Sequence, residues 1–386
     1  MPMKSNALIH NVIEFPNRVD LATRVADVIQ QTIRRGIWGK DIPSERRMSE
    51  LLNVSRPTIR AALHKLAKNG LLEIRPRTRK RLLVGLSHPE APRGKVVGII
   101  TNDQITSLSG GSYIQINELI ARLKRWGVGI EIFVCNPPGE SPEPRKLANF
   151  IKTTRASCYL LLHVSKAVQE WLSVRSLPAL VLGSCYDTVR LPSFEVNLWA
   201  SCRHAVGIFL RNSHRRLALI LPDTGLAGDL ASERGFRDAV DSHNATAKDK
   251  ARIVIVRHND TAPGVTAKLK ILFRSPDAPT AMLVAKPGPT FTTIIFLLKH
   301  GLAVPESVSV IARDQDQLYE IIDPLVSHYR FKHSSYTRLA TRLVSKILRQ
   351  GNLPAAKNMI LPEFFEGGTV APPPGDLDPI NWTVVA

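Results

Sequence analysis

The chain has 386 residues, 44% of them apolar, which is too long for one small domain and sufficient for two or three buried cores. Its formal charge is +19 and unevenly placed: residues 1–94 carry 18 Lys and Arg against 8 Asp and Glu, the other 292 carry 34 against 25. Such density in the N-terminal quarter is the footprint of a phosphate-backbone partner, and a continuous apolar run long enough to cross a membrane is absent from the sequence. Four cysteines, Cys135, Cys158, Cys185 and Cys202, stand far apart without a C-x-x-C pair or a zinc-like histidine spacing. They read as buried thiols of a reducing cytoplasm.

Residues 1–20 read as an N-terminal arm without a regular pattern. From Leu21, the residues Leu21, Val25, Val28, Ile29 and Ile33 form one apolar helical stripe that Gly36 ends. The next stretch, Pro43 to Leu63, predicts two short helices joined by a tight turn. Ser44 can cap the first, on which Met48, Leu51 and Leu52 share a face, and Asn53 can close it. Ser55 can cap the second, where Pro57 sits in the tolerant first turn and Ile59, Ala62, Leu63 and Leu66 recur at i, i+3, i+4 and i+7. The leading end and outer face of this second helix carry Arg56, Thr58, Arg60, His64 and Lys65, as a major-groove reader requires. The competing reading is an amphipathic hairpin with a solvated basic face. After Asn69-Gly70, two apolar runs (Leu71–Ile74 and Leu82–Val84) flank Arg75-Pro76-Arg77-Thr78-Arg79-Lys80-Arg81, which predicts a hairpin with a basic tip: a wing.

Residues 87–95 read as a proline-containing linker, and the pattern then changes. Apolar strand runs at Val96–Ile100, Ile130–Val134, Cys158–Leu162, Ala179–Leu182, Leu217–Leu221, Arg252–Val256, Ala281–Val284 and Val308–Ile311 alternate with helical stretches. The helices are expected at Tyr113–Trp126, Lys166–Val174, Leu198–Asn212, Ala231–Ser242, Val265–Ser275, Thr290–His300 and Ser334–Gln350. Repeated β-α-β units require parallel sheets, and nearly 300 residues of them suit two lobes around a cleft. The expected division is an arm at 1–20, a winged helix at 21–86, a linker at 87–95, a two-lobed domain at 96–372 and a tail at 373–386. The fold class is therefore α/β, with an N-terminal winged helix-turn-helix and two parallel-sheet lobes.

The segment Leu21–Val84 resembles the DNA-binding domain of the GntR family of bacterial regulators. The resemblance rests on Pro43-Ser44-Glu45-Arg46, on Asn53-Val54-Ser55-Arg56-Pro57-Thr58-Ile59-Arg60-Ala61-Ala62-Leu63 and on Asn69-Gly70-Leu71-Leu72. It implies DNA contacts from Arg46, Ser55, Arg56, Thr58 and Arg60, with Arg75, Arg77, Arg79 and Lys80 of the wing adding charge. The family's wing-tip glycine is absent: Pro76-Arg77-Thr78 stands there.

Residues 95–372 are similar to the LacI/GalR sensor domain, itself like a periplasmic sugar-binding protein. The motifs are Leu177–Gly183, His214–Ile220, Glu233–Ala239, Pro279–Ala285 and Gly301–Ile311. Asp314 keeps the family's ligand-facing aspartate. The usual Asn-Asp is Lys286-Pro287, the usual arginine before Gly-Phe is Ser232, and the acidic neighbour of the aspartate is Gln315. Either the ligand is not an ordinary sugar or small-molecule sensing has been lost. If the altered positions face the cleft, Lys286 and Ser232 should favour anionic groups.

No other chemistry competes. Ser109–Ser112 lacks the Lys-Thr/Ser of a P-loop and reads as a cleft loop, and Asp314, Asp316, Glu320 and Asp323 read as a solvated loop with one ligand-facing aspartate. His214 is expected to end a helix as a cation complementing its dipole. No catalytic constellation, metal set or cofactor motif is found, and an enzyme is not expected. The expected partners are an inverted-repeat operator in double-stranded DNA, a second copy of the chain, and a small-molecule effector, a sugar or other metabolite. The expected role is a repressor whose operator affinity the effector modulates. The alternative is a constitutive or architectural DNA-binding protein whose sensor serves only dimerisation.

Overall fold

The computed structural model describes residues 21–34, 42–68, 73–74, 81–82, 95–108, 110–135 and 144–374. The chain divides into two compact units, Met1–Glu90 and Ala91–Ala386. The expected arm, most of the linker, the wing tip at 75–80 and most of the tail lie outside the described residues.

The first unit contains helices α1 (Leu21–Arg34), α2 (Glu45–Leu52) and α3 (Arg56–Lys68) and the antiparallel strands β1 (Glu73–Ile74) and β2 (Arg81–Leu82). Ser44 caps α2 by accepting from the Arg47 N–H at 3.3 Å, and Asn53 closes it in the left-handed conformation, φ 49°. Ile59, Ala62, Leu63 and Leu66 of α3 are buried against Val25, Ala26 and Ile29 of α1 and Met48 of α2. Two expected faces are rotated. Leu21 and Val28 are 54% and 46% exposed, because Ala22 and Ala26 are small enough to let α1 lie close on α3. Leu51 is likewise 52% exposed: the eight-residue α2 sends only Met48 fully inward.

The second unit is two lobes. The first has a parallel sheet in the order β13-β7-β6-β5-β3-β4, made of β3 (Val96–Thr101), β4 (Gly129–Val134), β5 (Cys158–Leu162), β6 (Ala179–Leu182), β7 (Ser193–Val196) and β13 (Lys357–Ile360). Helices α4 (Gly110–Arg125) and α11 (His333–Gln350) cover one face; α5 (Pro144–Thr154) and α6 (Lys166–Ser173) cover the other. The second sheet runs β14-β12-β11-β10-β8-β9, from β8 (Arg216–Pro222), β9 (Arg252–His258), β10 (Ala281–Val284), β11 (Ser309–Ala312), β12 (Ser327–Arg330) and β14 (Glu363–Phe365), the last antiparallel. It lies between α7 (Leu198–Arg211) with α8 (Ala227–Thr246) and α9 (Ala262–Leu272) with α10 (Pro287–Lys299).

The central strands are apolar along their whole length because both faces are covered: β5, β6, β10 and β11 are buried at every residue. Close packing of α7 on α8 depends on Gly235, where a Cβ would lie 2.3 Å from the Trp199 carbonyl oxygen. The chain passes between lobes three times, at 196–198, 330–333 and 360–363. Strand C-termini of both sheets consequently face one cleft, the usual ligand position in open parallel sheets.

His214 differs from expectation. It is buried, 1% exposed, with Nε2 at 2.8 Å from the Ala371 carbonyl, so Nε2 carries the proton, while Nδ1 meets the Thr280 hydroxyl at 2.9 Å. Burial lowers its pKa, and it is a neutral clip holding the chain near Ala371 rather than a helix-end cation.

Candidate functional site

In the first unit the expected DNA-facing residues gather around the leading turn of α3. The Ser55 hydroxyl caps the helix by accepting the Thr58 N–H at 3.3 Å, and it meets Thr58 Oγ1 at 2.8 Å. Arg56 is exposed and has no ion-pair partner among the described residues. Arg46, 81% exposed, hydrogen-bonds Glu50 Oε1 at 3.2 Å. Arg60 reaches back to Glu45, with Nη2 to Oε2 at 3.0 Å and Nε to Oε1 at 3.4 Å, a forked pair that ties α3 to α2. Lys65 donates to Thr23 Oγ1 at 2.6 Å and so holds α1. Of the wing residues, Arg75, Arg77, Arg79 and Lys80 fall outside the described residues.

In the second unit the cleft encloses about 270 Å³. Asp103 follows β3, His163 follows β5, Ser184 follows β6 and Glu195 lies in β7. From the other lobe come Thr224 after β8, Asp229 in the first turn of α8, Lys286 after β10, and Arg313, Asp314 and Gln315 after β11. Phe194, Tyr329, Phe331 and Tyr336 supply aromatic wall.

Arg313 organises this wall, and sequence reasoning missed it. Its side chain is 6% exposed; Nη1 binds Asp229 Oδ1 at 2.8 Å and the Ser232 hydroxyl at 3.0 Å, and Nη2 binds Asp314 Oδ2 at 2.9 Å. Burial pulls its pKa down, yet the two carboxylates outweigh that and raise it, so the guanidinium stays charged. The second oxygen of Asp229 accepts from Thr224 at 2.7 Å, which leaves neither oxygen idle. Ser232 is fully buried and lies behind the wall under Arg313, not on the cleft surface. The arginine missing from α8 is thus supplied from the end of β11. The legible signal was an arginine beside the retained aspartate, directly after an apolar strand.

Asp314 lines the cleft with its side chain 30% exposed, and its Oδ2 also accepts the Lys286 N–H at 2.7 Å. Burial alone would raise its pKa, but the charge and hydrogen bonds of Arg313 prevail and hold it below the ordinary aspartate value. Lys286 has φ 66°, a left-handed backbone that costs a lysine more than the asparagine of the resembling family. Its ammonium pairs with Asp260. His163, φ 49°, opens onto the cleft from a left-handed backbone too, and enclosure by the walls, with Lys286 nearby, lowers its pKa. The expected preference for anions therefore lacks a basis: Ser232 is not on the surface, and both lining cations, Lys286 and Arg313, are already paired.

Asp316 does not join Asp314. It caps a short 3-10 turn through the Leu318 N–H at 2.9 Å, while Glu320 pairs with Arg330 at 2.7 Å. Among the described residues, no group of three or more His, Cys, Asp or Glu could hold a metal ion, and no helix is long and apolar enough to cross a membrane.

Family models match both units: bacterial regulatory proteins, gntR family, at residues 21–81, and a periplasmic binding protein-like domain at 206–370. The chain joins a GntR helix-turn-helix domain to a periplasmic binding protein-like domain. The GntR domain is similar to the HTH-type transcriptional repressor NanR of Klebsiella aerogenes, 39% identical over 67 residues, which are 17% of this chain and 26% of NanR. The chain thus matches only about a quarter of that relative's length. The fold of the binding protein-like domain is that of a LacI family transcriptional regulator from Bifidobacterium animalis subsp. lactis, with TM-score 0.62 at 16% identity over 73% of this chain and 100% of that one. A LacI family regulator from Enterococcus faecium with bound ribose gives TM-score 0.57 at 17% identity, over 72% of this chain and 99% of that one.

Proposed function

We propose that the protein is a transcriptional repressor that binds an inverted-repeat operator as a homodimer and responds to a small molecule held in the cleft. What carries the reading is the joining, in one chain, of a GntR helix-turn-helix to a two-lobed cleft whose charged wall is built across distant segments. Arg56 reads bases from the leading turn of α3, supported by Ser55 and Thr58; Arg46 and the wing residues Arg75, Arg77, Arg79 and Lys80 meet phosphates. Each phosphate contact adds about 0.9 to the slope of log affinity against log salt. Asp314, oriented by Arg313 and the Lys286 N–H, takes hydroxyl or amine groups of the effector. A compact polar metabolite on the scale of the ribose in the E. faecium relative suits the space.

Ligand and operator affinities are then coupled reciprocally. The test is an operator selected from random DNA, followed by effector titration with and without it. Different effector affinities in the two titrations support the switch; equal affinities remove it. A second reading draws on the internal pairing of Arg313, Asp314 and Lys286: a cleft that needs no ligand, in a domain that serves only dimerisation. It expects no metabolite to bind at all.

A further inference from the structure

The protein carries a formal charge of +19, yet its cleft reverses that sign. Four carboxylates line it, Asp103, Glu195, Asp229 and Asp314, against two cations, Lys286 and Arg313. Arg313 is shared between Asp229 and Asp314, and Lys286 is held by Asp260. An anionic ligand would meet an excess of carboxylates and no lining cation that is unpaired.

Glu195 stands apart from the others. It lies on β7, paired in register with Met359 of β13, and is only 8% exposed. No ion pair reaches it among the described residues; the hydroxyl of Ser184 is its hydrogen-bond neighbour, and the nearby Lys357 is held by Asp187. Burial raises its pKa and outweighs the Ser184 hydrogen bond and the Lys357 charge, which act the other way. It lines both the cleft and an adjoining cavity of about 410 Å³, the two sharing Ser184, Val196, Leu198 and Ala227 as well. Phe194, its neighbour in sequence, and Tyr329, Phe331 and Tyr336 give the cleft aromatic rings, whose faces attract cations.

We propose that the cleft binds a small ammonium-bearing metabolite, such as an amino sugar or short polyamine, and that Glu195 is the carboxylate that receives its charge. The inference rests on the reading of the cleft as a sensor site. Asp314, 30% exposed, remains available to polar groups of the same ligand, while Arg234 and Lys357 line the adjoining cavity and confine the ammonium to the cleft side of Glu195. A buried carboxylate without a direct ion pair is costly, and a bound ammonium offsets that cost.

The experiment uses the full chain and isothermal titration with a charge-graded series: glucosamine, putrescine and spermidine; ribose and glucose; gluconate and glucose 6-phosphate. At least one ammonium probe should bind ten times more tightly than any neutral or anionic probe. Glu195→Gln, which keeps shape and the Ser184 hydrogen bond, should weaken that probe at least tenfold. If Glu195→Gln fails to fold, the salt dependence of the wild-type interaction takes its place, the affinity of the ammonium probe falling as salt rises. Tightest binding of a neutral or anionic probe overturns the proposal and leaves the sensor reading standing, as does an ammonium affinity unchanged by the variant. Silence from the whole series sinks both.

Discussion

The α3 leading turn and the cleft wall each hold an arginine forked onto carboxylate, and the two arginines differ in almost every consequence. Arg60 is 59% exposed and its Glu45 partner 13%, on the surface of a small helical unit. Arg313 is 6% exposed, between Asp229 at 7% and Asp314 at 30%, in the wall of an enclosed cleft. Water screens the first pair, so its contribution is small and falls with salt. The second sits where desolvation makes an unpaired charge expensive, so its members stand or fall together. One arginine can exchange its carboxylate for a phosphate or a base; the other is fixed as part of the frame.

The sharpest break of this comparison is Arg313→Met. It strands Asp229 and Asp314 in the wall, and removing one partner from a buried set costs roughly 3–5 kcal/mol. Urea unfolding of the binding protein-like domain should show that loss. The pH dependence should invert as well. In the wild type, Asp314 has a pKa below its unfolded value, so its stabilisation is present above about pH 4 and lost as pH falls through the folded pKa. In the variant Asp314 loses the guanidinium that holds its pKa down, and acid should recover part of the stability. A loss below about 1 kcal/mol would mean that the wall repacks and that the arginine is not the organiser.

On the exposed side the largest effect belongs to Arg56. Arg56→Ala should cost roughly 1–3 kcal/mol of operator binding and relax sequence preference, because a forked base contact is lost. Thermal stability should not change. Equal loss on operator and random DNA would reassign Arg56 to the phosphates.

The same contrast explains what could be read from the sequence. The helix-turn-helix is one contiguous stretch in which caps, apolar spacing and basic residues sit side by side, so Ser44, Asn53, Ser55 and the Ile59–Leu66 face were legible. Strands such as Cys158–Leu162 and Ala281–Val284 were legible to the residue because burial on both faces leaves a continuous apolar run. The short β7, β12, β13 and β14 were not: Ser-Phe-Glu-Val and Lys-Asn-Met-Ile have no such run. Glu195 was lost with β7. The cleft itself collects residues from Asp103 to Tyr336, and no spacing along the chain shows that Arg313 would reach Ser232, 81 positions away. Resemblance located Asp314; only the folded chain shows what holds it.

A third, smaller effect concerns the histidines of the binding protein-like domain. His214, His258, His328 and His333 all have pKa values lowered by burial. Each binds its proton more readily unfolded than folded, so stability is complete above about pH 6.5 and falls as pH drops below it. His214→Gln should flatten that slope, read as urea midpoints between pH 5 and 7, at the cost of its contact with Ala371. An unchanged slope would place its protonation outside the folding equilibrium.

The smallest expected effect decides what Arg60 does. If it leaves Glu45 to touch DNA, Glu45 competes with DNA for the same guanidinium. Glu45→Gln then releases Arg60 and should raise operator affinity severalfold. Loss of one negative charge from the unit would raise affinity too, and on any sequence, so the single variant is not enough. A double-mutant cycle with Arg60→Ala separates the two. Where Arg60 reads DNA, Glu45→Gln helps in the wild-type background and helps distinctly less once Arg60 is gone. Where Arg60 only ties α3 to α2, the gain is the same in both backgrounds, and Arg60→Ala lowers thermal stability without relaxing sequence preference. Salt sharpens the distinction: the coupling between the two positions should shrink as salt rises, because the pair is open to water.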